Sequence, residues 1–216
     1  MTLEAFADVI DDPRIEEVVI SDDASDLDLY YTLKAAVSAM PKVKLYRNLT
    51  NQDCNRNKMT AICLCKSDYV IIFDSDNRLN TAYLDAIYKE DWDEKVIFAP
   101  SFARESFDYR QFSGLTVTKE NINEHFDKPM FSTMLNTMNF FVNRKEFLDT
   151  FDYGTDPVTA DSIYFNYLWL NRGNKLKVVK GMEYFHRIHS GSHYINNNNR
   201  TGNFYSEVEA KIRQLK

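Results

Sequence analysis

Hydrophobic and polar positions change period along this 216-residue chain. Apolar Leu3, Phe6, Ala7 and Ile10 recur at helical spacing, and Asp11-Asp12-Pro13 ends the run, which predicts a helix over 2–10. Short apolar runs predict strands over 17–21, 43–46, 69–73 and 95–99. Between them, 3.6-period stretches predict helices over 26–40 (opened by Asp26 and stopped by Pro41), 57–65 and 80–88. Beyond residue 100 the pattern loosens. Residues 101–130 are irregular, aromatic and charged, and 131–142 is an apolar stretch interrupted by Asn136-Thr137-Met138-Asn139. Helices are predicted over 144–151, 159–171 (before Gly173) and 208–215, with a strand at 176–179 and a His- and Asn-rich loop over 184–203. Strands alternating with helices in the first hundred residues predict an α/β fold with a mainly parallel central sheet flanked by helices. No repeat or linker divides the chain. The expectation is one domain over 1–216, with a nucleotide-binding half (1–100) and a specialised half (101–216).

The strand at 69–73 ends abruptly in Asp74-Ser75-Asp76-Asn77. In open α/β sheets, ligands gather beyond the carboxyl ends of the strands. Paired carboxylates there suit a hard cation such as Mg²⁺ or Mn²⁺, which takes oxygen ligands together with substrate phosphates. Turn chemistry alone also favours Asp, Ser and Asn after a strand, so this motif needs support from the rest of the chain.

Composition narrows the class. Hydrophobic residues make up 44% of the chain, enough for a substantial core. The net charge of −6 and pI of about 5.3 argue against a nucleic-acid binder, which normally carries a basic patch. The three thiols, Cys54, Cys63 and Cys65, lack zinc-site spacing and suit a reducing, cytoplasmic compartment. No run of 18 apolar residues predicts a transmembrane segment.

Four further clusters carry chemistry. Asp22-Asp23-Ala24-Ser25 also follows a strand, where a carboxylate accepts from a uracil N–H or ribose hydroxyls, or caps the next helix. Arg56 and Lys58 open a helix, where a cation is misplaced unless an anion docks at that terminus. Asp161, early in an apolar helix, is placed to favour the dipole or to deprotonate a hydroxyl nucleophile, with Asp156 as its rival. His186-Arg187-Ile188-His189-Ser190-Gly191-Ser192-His193 gathers three of the four histidines, which suggests a metal or phosphate site.

In this order, over about residues 15–195, these motifs resemble the GT-A glycosyltransferases, most closely the inverting family 2 and its relatives. The matching segments are Asp22-Asp23-Ala24-Ser25, then Asn51 with Arg56-Asn57, then Asp74-Ser75-Asp76-Asn77. Asn143-Arg144-Lys145-Glu146-Phe147, Asp161 through Gly173, and Arg187-Ile188-His189-Ser190-Gly191-Ser192 follow. The resemblance implies a GT-A, Rossmann-like fold and transfer of a sugar from a nucleotide-diphosphate sugar, UDP-hexose or UDP-deoxyhexose, to a glycan hydroxyl with inversion. It places Asp22 or Asp23 on the uracil or ribose, Arg56 at the diphosphate, and Asp74 at the ribose or metal. Asp76 and His189 become ligands of Mn²⁺ or Mg²⁺, Ser192 lies nearby, and Asp161 is the base. The chain departs from the family pattern in three ways. It starts within the helix that usually follows a first strand, so that strand is missing or truncated and further domains of a larger polypeptide are expected. Gln52 and Asp53 stand where the Asn-x-Gly loop has its glycine, and Ala160 replaces the Glu before the base. Two alternatives remain: a non-catalytic carbohydrate-binding domain whose aromatic 101–115 and 126–141 segments stack sugars, and a phosphatase of the haloacid-dehalogenase type using Asp74 as nucleophile.

Overall fold

A computed structural model describes residues 2–157, 159–187 and 198–216. The first stretch departs from expectation. Residues 2–10 form consecutive three-residue turns, in which Val9 N–H donates to Phe6 O, and not a helix. The Ala5 carbonyl, which a helix would give to Val9, accepts from Leu79 N–H at 2.8 Å. The buried positions are Ala5, Phe6 and Val9; of the four residues at helical spacing only Phe6 is buried, Leu3 and Ile10 are half-buried, and Ala7 is exposed.

Strand β1 (Val18–Asp22) leads through helix α1 (Leu27–Val37) to β2 (Val43–Arg47), which pairs with β1 in parallel. Helix α2 (Asp53–Leu64) then precedes β3 (Tyr69–Ile71), shorter than the predicted 69–73. Helix α3 (Thr81–Ile87) is capped by Asn80, whose side chain accepts from Tyr83 N–H. The long β4 (Val96–Arg104) is followed by the short β5 (Phe107–Asp108) and β6 (Thr116–Val117). Helix α4 (Phe131–Leu135) and β7 (Phe141–Asn143) occupy the apolar stretch interrupted by Asn136 and Asn139. Helices α5 (Arg144–Thr150) and α6 (Asp161–Asn171), strand β8 (Lys175–Phe185) and helix α7 (Asn198–Ile212) complete the described chain.

β1 and β2 form a sheet of their own. The second sheet has the order β3-β7-β4-β8-β6, with β5 on β4. In it β4 and β8 run parallel, and the other pairs are antiparallel. The result is a mixed α/β architecture with helices on both faces of the sheet. β8 outruns its predicted span because a bulge opposite Pro100–Phe102, eased by Gly181 at φ 78°, lets pairing continue to Phe185. The core lies where α5 and α6 cover the second sheet. Phe98, Phe140, Phe147 and Trp169 are almost fully buried there, and the Phe147 and Phe165 rings stack 4.1 Å apart. Cys54, Cys63 and Cys65 are free thiols, and no described helix is long and apolar enough to cross a membrane.

Candidate active site

Three elements deliver charge to one point. β3 delivers Asp74 at its carboxyl end, α6 delivers Asp161 in its first turn, and the second turn of α2 delivers Lys58. Lys58 Nζ donates to Asp161 Oδ2 at 3.0 Å and lies 3.1 Å from Asp74 Oδ1. Burial disfavours the ammonium, but the two carboxylates outweigh it and hold the Lys58 pKa well above its ordinary value. The Asp161 side chain is only 7% exposed and that of Asp74 37%. Burial likewise works against the Asp74 carboxylate, yet Lys58 and the Asn139 amide hold its pKa below the usual value.

The local backbone explains why Asp74 stands there. Asn139 Oδ1 accepts the Asp74 N–H at 2.9 Å, and Asn139 Nδ2 donates to Asp74 Oδ2 at 3.2 Å and to Tyr184 Oη at 3.2 Å. Asn139 is 97% buried, so its polar side chain is spent inside the protein. Its neighbour Asn136 accepts from Ile163 N–H, one of the orphan donors at the start of α6. The polar run inside the apolar 131–142 stretch is thus the frame that fixes Asp74 and the Asp161 end of α6. After Asp74 the chain turns, Asn77 N–H donating to Asp74 O, and Arg78 is bridged to Phe185 at the end of β8. Asn77 Oδ1 then accepts from Arg187 N–H, which ties the acidic turn to the chain beyond β8.

The sequence-predicted residues divide into those brought to this point and those placed elsewhere. Asp74, Asp76 and Asp161 line one cavity of about 1120 Å³, together with Lys58. Asp156 stands exposed on its loop, and Asp152 accepts from Thr155 and Tyr164 at 2.6 Å each, organising its own turn. Arg56 is exposed and lies outside the cavity lining; the cation of α2 at the acids is Lys58. Asp22 is engaged by Arg47 Nη1 at 2.6 Å, and Arg47 in turn covers the Tyr30 ring. Asp23 Oδ1 accepts from Asn48 Nδ2 and from Gln52 N–H, both at 2.8 Å, bracing the loop that enters α2. His189 and Ser192 lie outside the described residues. His186, given no separate role from the sequence, is held by Ser106 Oγ at 2.8 Å; burial lowers its pKa, against the pull of Asp76 and Asp74. The aromatics expected to stack sugars are largely spent on the core: Phe112, Phe126 and Phe131 are at most 5% exposed.

Among the described residues no three His, Cys, Asp or Glu side chains gather closely enough to cage a metal ion. The donor set of Asp74 and Asp76 instead fits a hard cation that draws its remaining ligands from substrate phosphates and water.

The family model described as Glycosyl transferase family 2 matches residues 1–151. No curated protein is similar to the chain at a significant level. Among solved structures, S. aureus TarS 1-349 in complex with UDP-GlcNAc superposes with a TM-score of 0.72 at 16% identity, over 100% of this chain and 63% of that one. TarS 1-349 with UDP gives a TM-score of 0.64 at 16% identity, over 98% of this chain and 60% of that one. GalNAc-T7 with UDP, GalNAc and Mn²⁺ gives 0.61 at 16% identity, over 88% of this chain and 42% of that one. The chain therefore shares the GT-A glycosyltransferase fold and spans less than two thirds of the length of these neighbours.

Proposed function

Because the chain belongs to glycosyl transferase family 2, we propose that it transfers a sugar from a UDP-linked donor to a glycan hydroxyl, with inversion and with the help of Mn²⁺ or Mg²⁺. The observation that carries this reading is the convergence of Asp74 and Asp161, from separate elements, on one lysine in the lining of a large cavity. Neighbours of the same fold have been solved with UDP and UDP-GlcNAc, which favours UDP over other nucleotides.

The roles follow from placement. Asp76, with Asp74, would hold the cation, which when bound neutralises charge on the departing diphosphate. Lys58 supplies a second positive charge beside the same oxygens and is free to follow negative charge from Asp74 to the diphosphate. Asp161 would then be released from Lys58 and accept the proton of the acceptor hydroxyl as general base. Asp22 and Asp23 would shape the loop beside the nucleotide, and His189 would join Asp76 as a ligand of the cation, with Ser192 as a donor-binding group. Arg56 stays a candidate only for contacts made at the protein surface.

Calorimetric titration of UDP with Mn²⁺, then with EDTA, tests the donor site. Saturable binding that needs Mn²⁺ and is lost in Asp76→Ala supports it. Equal binding by Asp76→Ala, or binding unaffected by EDTA, would remove the metal from the proposal.

A further inference from the structure

A second cavity, of about 470 Å³, lies outside the donor site. Arg78, Glu105, Ser106, Phe185, His186 and Arg187 line it, and it shares none of its described lining residues with the cavity that holds Asp74 and Asp161. Three backbone segments build it and are bonded to one another. Arg78 and Phe185 exchange backbone hydrogen bonds at 2.9 and 3.0 Å, and His186 N–H donates at 3.2 Å to Arg104 O, at the end of β4. The 105–106 turn joins β4 to β5 and is closed by Ser106 N–H donating to Ala103 O. Arg187 N–H reaches Asn77 Oδ1, so the cavity stands beside the acidic turn that carries Asp76. Arg78 follows Asp76 by two residues, which keeps their Cα atoms within about 7 Å of each other.

Its polar side chains are already held in place. Asp8 takes two donors of Arg78, Nε at 2.7 Å and Nη2 at 2.8 Å, and Glu4 takes Nη2 of Arg187 at 2.9 Å. A guanidinium has five N–H donors, so each arginine keeps others for a ligand. The guanidiniums of Arg78 and Arg104 lie 5.8 and 5.3 Å from the Phe185 ring centroid, and Arg104 Nε donates to Glu183 at 2.9 Å. Ser106 Oγ is fixed by His186 Nδ1 at 2.8 Å. Groups ordered before a ligand arrives lose little freedom on binding it.

Charge and shape select the ligand. The two lining arginines meet three carboxylates, those of Asp8, Glu4 and Glu105, so the cavity offers no excess positive charge to a phosphate. The Phe185 ring is already occupied by two guanidiniums, which leaves it unsuited to stacking a nucleotide base. What remains is a set of guanidinium donors in one cavity with a carboxylate acceptor, Glu105. Adjacent hydroxyls of a neutral sugar satisfy both, accepting from the one and donating to the other. The volume falls within the roughly 300–1,000 Å³ of small-molecule sites.

Glu105 is also a strained residue. It is exposed at the tip of its turn with φ 74°, a left-handed conformation that glycine adopts freely and that a side chain resists. We propose that this cavity binds one unit of a neutral oligosaccharide, with Arg78 and Arg187 donating to its hydroxyls and Glu105 accepting from them. The inference rests on the transfer reaction proposed above in one respect: the oligosaccharide is the acceptor, and the unit held here is remote from the hydroxyl that meets Asp161. The site then favours acceptors longer than a single sugar.

The test applies the 216-residue chain, with UDP and Mn²⁺ present, to an array of neutral, sialylated and sulfated oligosaccharides, beside Glu105→Gln and Glu105→Gly. Binding of neutral oligosaccharides that falls at least tenfold in both variants supports the site. Glu105→Gly should at the same time unfold at an equal or higher urea midpoint, because the strain is relieved while the ligand contact is lost. No glycan bound by the parent, binding to the charged glycans alone, or equal binding by Glu105→Gln each overturns the proposal. Loss confined to Glu105→Gly, with a lowered midpoint, is a folding defect and overturns it too. Calorimetric titration of UDP on the same samples separates the two readings. Glycan binding through Glu105 in a chain that binds no UDP supports this site and sinks the donor reading; UDP binding without glycan binding does the reverse.

Discussion

Replacing Lys58 by Met keeps the side chain's length and removes its charge, leaving the Asp74 and Asp161 carboxylates facing each other. The lost charged hydrogen bond to Asp161, which is 93% buried, costs about 1.5–3 kcal/mol. Asp74 is more than a third exposed, so solvent screens its share to less than about 1 kcal/mol. The sum, about 2–4 kcal/mol, stays near the 3–5 kcal/mol typical of breaking a fully buried pair. With a urea dependence of roughly 1–3 kcal/mol/M, the unfolding midpoint should fall by about 1 M or more at pH 7. Fluorescence of the fully buried Trp169 reports the transition. The pH dependence identifies the cause. Asp74 is held below its ordinary 3.8, so its contribution is present above that value and lost as pH falls through the folded-state value. In the variant the Asn139 amide still favours the carboxylate, but burial and the neighbouring acid are no longer opposed by Lys58, so the Asp74 pKa rises and protonation relieves the strain. The deficit should therefore be largest at pH 7 and shrink towards pH 4. An unchanged midpoint at pH 7 would refute the account, and a deficit independent of pH would assign the effect to packing of the lysine stem.

Other expectations can be checked alongside. Asp161→Asn should bind UDP as the parent does and release no UDP from a donor in the presence of acceptor; retained transfer would move the base elsewhere. Asn139→Ala removes both tethers of Asp74 and leaves its N–H unsatisfied, so urea unfolding should show a loss of about 1–3 kcal/mol. Phe147→Ala empties a fully buried site stacked on Phe165 and should cost about 3–5 kcal/mol in the same assay, with UDP binding intact at low temperature. Mn²⁺ should raise the melting temperature of Lys58→Met more than that of the parent, because the ion then meets no competing ammonium at Asp74.

Much of the site was legible because strands that end in carboxylates keep that signature in sequence. Asp74 and Asp161 were recoverable from the abrupt change from apolar to acidic and from an acid at the start of an apolar helix. Lys58 was visible only as one of two cations misplaced at a helix start. Helical geometry, which turns neighbours in the sequence to different sides, decided that Lys58 and not Arg56 meets the acids. Asn139 carried a signal too, since a polar residue inside an apolar run needs a buried partner, but the partner lies 65 positions away. The 2–10 segment misled because the residues at helical spacing are not the ones the turns bury, Ala7 being exposed and Ala5 and Val9 buried, and the competing donor to the Ala5 carbonyl, Leu79 N–H, is tertiary. The reach of β8 was hidden by the Gly181 bulge, which breaks the alternation a strand is recognised by.

The central place of β8 sets a clock on synthesis. β4 pairs with it from Val96 against Lys175, so the middle of the second sheet waits for residues made about eighty positions later. At roughly 5–20 residues per second, β4 spends about 4–16 s on the ribosome with one long edge open. The apolar run Val96–Ala99 on that edge is then a template for pairing with another nascent chain. A fragment ending at residue 151 would hold it in that state permanently. Yield of soluble protein should therefore respond to whatever slows emergence of 152–185, such as rare codons or lowered temperature, more than to changes in the early βα units.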